Sequence, residues 1–365
     1  LKPMTDLTLL PIPLPQIGAE QLTLLERLSN AVAVSGDEGE VRAIVLEQVK
    51  PLADEVTVDA LGNVLVTKHA TAPNALRVML AAHMDEVGFM LTRDDENGLY
   101  QFGLVGGMDE RVLVGKPILD GKSHIPGVIG AKPIHLQERG EREQTIPVEQ
   151  LRIDIGPGGS GKVKVGDRAT FATRFQQIGP SLVGKALDDR LGVAMLLEIL
   201  RNPIPQLELL LAFTVQEEIG LRGARVAGYA LDPQIAIAVD STPARDLPNY
   251  DGTENQSYNT RLGAGPAIYV ADSGTLSDPR LIRHLAQTGD ALSIPYQFRQ
   301  PGGGGTDAGA IHTRRAGVPS VSISVPGRYA HTPVLFARLD DWQNSLSLLH
   351  AALQRLTPDI LAQER

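Results

Sequence analysis

Apolar positions along the chain follow two alternating rhythms. Leucines recur at helical spacing from Glu20 to Leu28, a turn is expected at Ser35-Gly36-Asp37, and a second helix is predicted over Glu38–Val49, ending before Pro51. Short strand-like runs follow at Val56–Val58 and Val64–Val66. A strongly apolar run, Leu76–Ala82, then stops abruptly at His83-Met84-Asp85. From about Glu86 to Phe175 the texture changes to brief β-type runs broken by glycine and proline, such as VGFML, YQFGLVGG, IPGVIGAK and KVKVGDRATF. Short strands with frequent turn signals predict a small β-barrel or sandwich inserted into a larger domain.

After Gly184 the larger pattern resumes. A helix is predicted over Arg190–Arg201, then a strand over Leu207–Val215 running into Glu217-Glu218. A further helix leads to the strand Ile235–Val239 and Asp240. Ala267–Val270, a helix around Pro279–Ala286, the loop PGGGGTDAG, a helix around Ala310–Arg315 and the strand Ser320–Val325 complete the series. Strands that are continuous apolar runs, alternating with helices, predict an α/β fold: a mostly parallel sheet with helices on both faces. The expected organisation is one α/β domain in two parts, 1–85 and 177–365, interrupted by an inserted β-domain over 86–176.

Composition narrows the classes. The 365 residues are 42% hydrophobic and 21% charged, ordinary for a globular chain of this size. A net charge of −9 argues against nucleic acid as a partner. No apolar run reaches the roughly 18 residues of a membrane span. The N-terminal segment has no basic region followed by an unbroken apolar stretch, so no signal peptide is expected. Its prolines predict an extended surface lead, with Met4 as an alternative start to Leu1. A cytoplasmic location follows by default. With no cysteine in the chain, disulfides and thiolate metal sites are excluded, and any transition metal must be held by His, Asp and Glu.

The chemistry concentrates at strand ends. His83, Glu217-Glu218 and Asp240 each follow an apolar run, His331 lies just beyond VSISV, and Asp188-Asp189 precede a helix. In open α/β sheets, ligands bind beyond the carboxyl ends of the strands. Carboxylates gathered in such a crevice repel one another and are costly to bury without a compensating cation. Lys185 and Arg190 are the only basic residues flanking these motifs closely, so a pair of divalent ions is the expected counter-charge. Imidazole plus carboxylate without thiolate suits zinc, with cobalt or manganese as alternatives. Two such ions about 3.5–4 Å apart make a hydrolytic site. One carboxylate must stay off the metals to take a proton from water, and the adjacent Glu217-Glu218 can divide these tasks. Asp189 is expected to cap the following helix.

The segments AHMDEVGF (82–89), GKALDDRLG (184–192), QEEIGLRGA (216–224), AVDST (238–242), GGGTDAGAIH (303–312) and RYAHTP (328–333) also resemble the M42 metallo-aminopeptidases, tetrahedral peptidases of glutamyl or deblocking type. The resemblance runs in order over nearly the whole chain after about residue 20. It implies a zinc-exopeptidase-like catalytic domain with an inserted β-barrel dimerisation domain, and assembly of dimers into a tetrahedral dodecamer. It further implies that His83, Asp188 and Asp240 hold one metal and Asp188, Glu218 and His331 the other. Glu217 would be the general base, and Asp85 the carboxylate that orients the His83 ring. His331 rests mainly on this resemblance.

Other features carry blander expectations. His69, His124, His135, His284 and His350 lack acidic strand-end company and are expected at the surface, while His312 and Asp307 are expected to fix structure near the site. Gly156–Val163 imitates a phosphate loop but lacks the Ser/Thr after Lys162 and a following helix. PGGGG (301–305) lacks the spacing of a nucleotide loop and suits either close backbone approach to a substrate or simple loop flexibility. H-E-x-x-H and G-x-S-x-G are absent. The activity expected is removal of N-terminal residues from short peptides. The rival is a glycoside hydrolase of endoglucanase type using paired carboxylates, a label some relatives carry. Only 4% aromatic residues and the single Trp342 give it little material for stacking sugars.

Overall fold

The computed structural model describes residues 12–159, 161–249, 251–253 and 260–365; Met4 and the rest of the first eleven residues lie outside them. The lead from Ile12 to Gly18 has no regular structure. Ile12 and Ile17 donate their N–H groups to the side chains of Gln354 and Gln343, while Leu14 and Ile17 pack on the core.

Two helices, α1 (Ala19–Asn30) and α2 (Gly39–Val49), precede strands β1 (Glu55–Val58), β2 (Val64–Lys68) and β3 (Leu76–His83). The chain then builds β4 (Gly88–Asp94), β5 (Leu99–Val105), β6 (Pro117–Asp120), β7 (Ile125–Gly130), β8 (Arg152–Asp154) and β9 (Arg168–Phe171). It returns through β10 (Gln176–Ile178), β11 (Ser181–Gly184), α3 (Leu187–Arg201), β12 (Leu207–Thr214), α4 (Arg222–Leu231) and β13 (Ile235–Pro243). Last come β14 (Ala267–Tyr269), α5 (Pro279–Leu292), β15 (Gln297–Arg299), α6 (Ala308–Ile311), β16 (Ser320–Arg328), β17 (Leu335–Arg338) and α7 (Leu339–Arg355).

One large sheet runs in the order β1-β2-β12-β3-β13-β16-β17-β11-β10, with β14 and β15 attached to β16. Its centre, β12-β3-β13-β16, is parallel, whereas β2 and β17 pair antiparallel at either side. The parallel character read from the sequence therefore belongs to the four middle strands. Both faces of these strands are covered, which explains their unbroken apolar runs. Successive residues alternate between layers: Val78, Leu80 and Ala82 join the core under α1, α2, α3, α5 and α7, while Met79 and Ala81 meet α4 and α6. The second layer is thin because it is built largely from alanines, Ala212, Ala224, Ala227, Ala236 and Ala310.

Strands β4-β5-β8-β7-β6-β9 close into a separate barrel. Its core is set by Phe89, which meets Phe102 and Phe171 edge-on with ring centres 5.2 and 5.1 Å away. Gly88 begins the barrel where the chain is crowded: a Cβ there would lie 2.5 Å from Val34 and 2.7 Å from the Ala169 carbonyl oxygen. The Gly156–Val163 segment forms a short helical turn over Pro157–Gly159 and then leads towards β9, with no helix where a phosphate loop requires one; Ser160 lies outside the described residues.

Two expectations need correction. The helix expected around Ala310–Arg315 is the single turn α6, because Gly317 reverses the chain towards β16. His350, expected at the surface, is buried on α7, where Nε2 meets the Asn202 carbonyl at 3.0 Å. Among the described residues, no helix is long and apolar enough to cross a membrane.

Candidate metal centre

The parallel register of the central strands brings the predicted residues together. His83 ends β3 and stands beside Thr214, the last residue of β12, so Glu217 and Glu218 emerge from the neighbouring strand end. Asp240 lies on β13, opposite Ser324 of β16. Asp188 enters at the start of α3, where it and Asp189 depart from helical φ/ψ and are joined by a cis peptide bond. His331 follows β16 in a left-handed conformation, and its Nδ1 lies 2.8 Å from the Gly107 carbonyl oxygen beyond β5.

Two trios result, each with its candidate ligand atoms all within 4.8 Å of one another: His83, Asp188 and Asp240, and Asp188, Glu218 and His331. His83 Nε2 is 3.4 Å from Asp188 Oδ1 and 3.8 Å from Asp240 Oδ1. His331 Nε2 is 3.6 Å from Asp188 Oδ2 and 3.2 Å from Glu218 Oε2. Each oxygen of Asp188 thus serves a different trio. Tetrahedral coordination at about 2.0–2.2 Å places ligand atoms about 3.4 Å apart, the spacing of these pairs.

Charge makes the same point. Glu217, Glu218 and Asp240 are pushed well above the usual carboxylate range, first by burial and then by neighbouring carboxylates, Glu218, Asp188 and Asp189 foremost among them. Burial also opposes ionisation of Asp188, but the His83 hydrogen bond and the two histidines outweigh it and bring it down to about 2. The two flanking cations offer no direct relief. Lys185 donates to Ala31 and Glu86, and Arg190 donates to the Met84 and Leu28 carbonyls. The donor set, its spacing and an excess of carboxylates that only two histidines offset fit divalent ions.

Surrounding contacts fix these groups. Asp85 is fully buried and accepts hydrogen bonds from Ser35 Oγ at 2.6 Å, Glu217 N at 3.0 Å and Glu218 N at 3.2 Å. The His83 Nδ1 lies 3.1 Å from the Asp85 carbonyl oxygen and 3.6 Å from its carboxylate. The closest partner of the ring is therefore main-chain, while the carboxylate faces the ring and also ties down the Glu217-Glu218 segment. Asp189 accepts from Gly192 N at 3.0 Å, the expected capping contact, and also from His83 N at 3.2 Å. Asp307, raised to about 6 by burial, accepts from Thr214 Oγ1 at 2.5 Å.

Ser35, which the sequence marks only as part of a turn, donates to the Asp85 carboxylate. Asn63 receives Val215 N at 2.9 Å and donates to the Gly223 carbonyl, shaping the connection that carries Glu217. A cavity of about 630 Å³ opens beside the carboxylates, and its far wall contains Tyr269, Arg299, Arg245 and Gly302–Gly305. Arg299 stacks 4.4 Å from the centre of the Tyr269 ring. No periodicity or motif links Arg299 to His83; only the fold brings them to one cavity.

A helix-covered sheet with clustered His and carboxylate groups at its strand ends defines a metal-dependent hydrolase. The model of the M42 glutamyl aminopeptidase family matches residues 62–348. A lysyl aminopeptidase of Pyrococcus furiosus is 33% identical over 92% of this chain and 97% of its own length. The aminopeptidase APDkam598 of Desulfurococcus kamchatkensis superposes with a TM-score of 0.88 at 32% identity, covering 94% of this chain and 96% of that one. The TET1 peptidase of Pyrococcus horikoshii, whose structure shows tetrahedral or large octahedral shells, gives 0.79 at 31%, covering 91% and 98%. A Thermotoga maritima structure described as an endoglucanase gives 0.73 at 32%, covering 90% and 95%. The chain belongs to the M42 family of peptidases. It is a metal-dependent aminopeptidase, and a glycosidase reading is not favoured.

Proposed function

We propose that two divalent ions sit side by side in this centre, with His83 and Asp240 on one, Glu218 and His331 on the other, and Asp188 shared. The observation that carries the reading is the division of the Asp188 oxygens between two trios of ligand atoms. Zinc suits the donor set best, and cobalt or manganese would be accepted. Ions held there would supply Lewis acidity, polarising the scissile carbonyl and acidifying a water molecule.

The protein's own groups do the rest. Glu217, half-buried and outside both trios, takes the proton of the attacking water and delivers it to the leaving amine. Its raised affinity for protons suits a group that must hold one between these steps. Asp85 fixes the main chain of Glu217 and Glu218, so the base keeps its aim. The acidic wall attracts the protonated amino terminus of a peptide, which favours removal of N-terminal residues from short peptides.

The domain reading is 1–85 with 177–365 for catalysis and 86–176 for association between chains. Exposed apolar side chains on the barrel segment, Ile134 at 66% and Leu136 at 60%, support self-association into dimers and a tetrahedral dodecamer. The setting proposed for the enzyme is the cytoplasm. The test is a panel of aminoacyl chromogenic substrates assayed before chelation, after it, and with single metals restored. Turnover indifferent to chelation would reject the metal reading, whereas a carboxylate-pair glycosidase would survive it.

A further inference from the structure

Two cations lie beside the cluster of carboxylates, yet both point away from it. Lys185, Glu86 and Arg190 are almost completely buried, with side-chain exposures of 3%, 3% and 0%. Lys185 Nζ donates to the Ala31 carbonyl at 2.7 Å and to both oxygens of Glu86 at 2.8 and 2.9 Å, which uses its three protons. Glu86 also accepts from Ala33 N at 3.0 Å and from Thr170 Oγ1 at 2.9 Å, and Arg190 Nη2 stands 3.5 Å from it. One carboxylate therefore faces two cations.

Behind this arrangement lies a small cavity of about 20 Å³, lined by Glu86 and Lys185 together with Asp188, Glu218 and His331. Lys185 thus borders the same void as two carboxylates whose only close cationic partners among the described residues are histidines. Lysine is a point charge on a flexible four-carbon stem and can follow the strongest field. While Glu86 is ionised, moving Lys185 away would leave a buried anion short of its partner, which is strongly disfavoured. If residue 86 were neutral, that cost would vanish, and the ammonium could extend to Asp188 or Glu218.

We propose that Glu86 is a positioning residue that reserves Asp188 and Glu218 for metal by holding Lys185 away from them. The proposal rests on the reading of this centre as a metal site. The side-chain hydrogen bonds and ion pairs of Glu86 go to Ala33, Thr170, Lys185 and Arg190, none of them a proposed metal ligand. Glu86 acts through Lys185, by removing a competitor for the positions an ion must fill. The hub also explains how two basic residues can flank Asp188 in sequence without neutralising it.

The experiment uses the full-length metal-stripped protein and zinc, with affinity measured by competition against a chromogenic chelator and melting temperature followed in parallel. Glu86→Gln is expected to weaken zinc binding about 10- to 100-fold, the range typical when a group supporting metal ligands is lost. The double variant Glu86→Gln with Lys185→Met keeps the stem volume but has no ammonium to intrude, and should return to within about threefold of wild type. Unaltered affinity in Glu86→Gln, with normal uptake by wild type, would overturn the proposal alone. Equal weakening in single and double variants would make Glu86 merely structural and overturn it as well. If the single variant fails to fold, near-wild-type affinity in a folded double variant supports the proposal and a deficit overturns it. Wild-type protein that takes up no zinc would overturn both the site reading and the proposal.

Discussion

Asp85→Asn separates two accounts of how this centre is held. The carboxylate accepts from Ser35 Oγ, Glu217 N and Glu218 N at 2.6, 3.0 and 3.2 Å, with no water exposure. Asparagine offers one acceptor oxygen and one NH2 group. If its oxygen keeps Glu217 N, its NH2 faces Glu218 N, and one buried donor loses its partner. The Ser35 hydroxyl can turn and accept, so the loss is confined to about one charge-assisted bond, roughly 1.5–3 kcal/mol. Where that bond steadies the transition-state geometry, kcat/KM should fall by one to two orders of magnitude, at about 1.4 kcal/mol per tenfold. Steady-state kinetics on a chromogenic aminoacyl substrate, with metal content determined on the same preparation, gives the answer. The metal should remain, because the nearest partner of His83 Nδ1 is the Asp85 carbonyl oxygen at 3.1 Å, which the substitution keeps. A variant retaining more than half of wild-type kcat/KM refutes the reasoning. So does one that loses its metal, since the carboxylate would then matter to the ring and not to the strand end.

Glu217→Gln should lower kcat by roughly 10²- to 10⁴-fold with metal content unchanged; substantial turnover would remove Glu217 from the role of base. Ser35→Ala should lower kcat/KM about tenfold, and the loss should disappear in an Asp85→Asn background, because Ser35 acts through that carboxylate; additive losses would contradict this. Chelation should lower the melting temperature as well as abolish activity, since an ion at 1,000 times its Kd contributes about 4 kcal/mol to folding; identical melting curves with and without metal would count against a bound ion. Burial, helped by Asp167, pushes Asp120 in the barrel up to about 7, and neither carboxylate oxygen has a hydrogen-bond donor among the described residues. An acid with a higher pKa folded than unfolded gains stability as pH falls through about 7, the gain levelling off below the ordinary value of 3.8. Asp120→Asn should therefore raise the melting temperature more at pH 8 than at pH 5, and equal shifts at both would refute the assignment.

What the sequence makes legible follows from periodicity and position. Strands covered on both faces need unbroken apolar runs, so the four central strands could be read and the residues at their ends singled out. The inserted barrel was legible from its short runs and turn residues. The β1-β2 edge was legible as two short apolar runs, but the β17-β11-β10 edge was not, because β17 and β11 pair across distant segments of ordinary composition. α7 also escaped notice: Asp341, Ser345, Ser347, His350 and Gln354 are all buried on it, so polar residues interrupt the apolar stripe. Contacts such as Lys185 with Glu86, 99 positions apart, depend on the tertiary arrangement and leave no local trace.

The spread of the ligands along the chain has a consequence for how the enzyme matures. His83, Asp188 and Asp240 all lie within the first 240 residues, whereas His331 follows 91 positions after Asp240. Its ring is also steadied by the Gly107 carbonyl, which requires the barrel segment to have settled against the returning strand. A nascent chain can therefore offer one complete trio long before the other. If both trios hold an ion as proposed, loading would be ordered in time, the His331 trio forming only after the segment beyond β16 has been made and the barrel has docked.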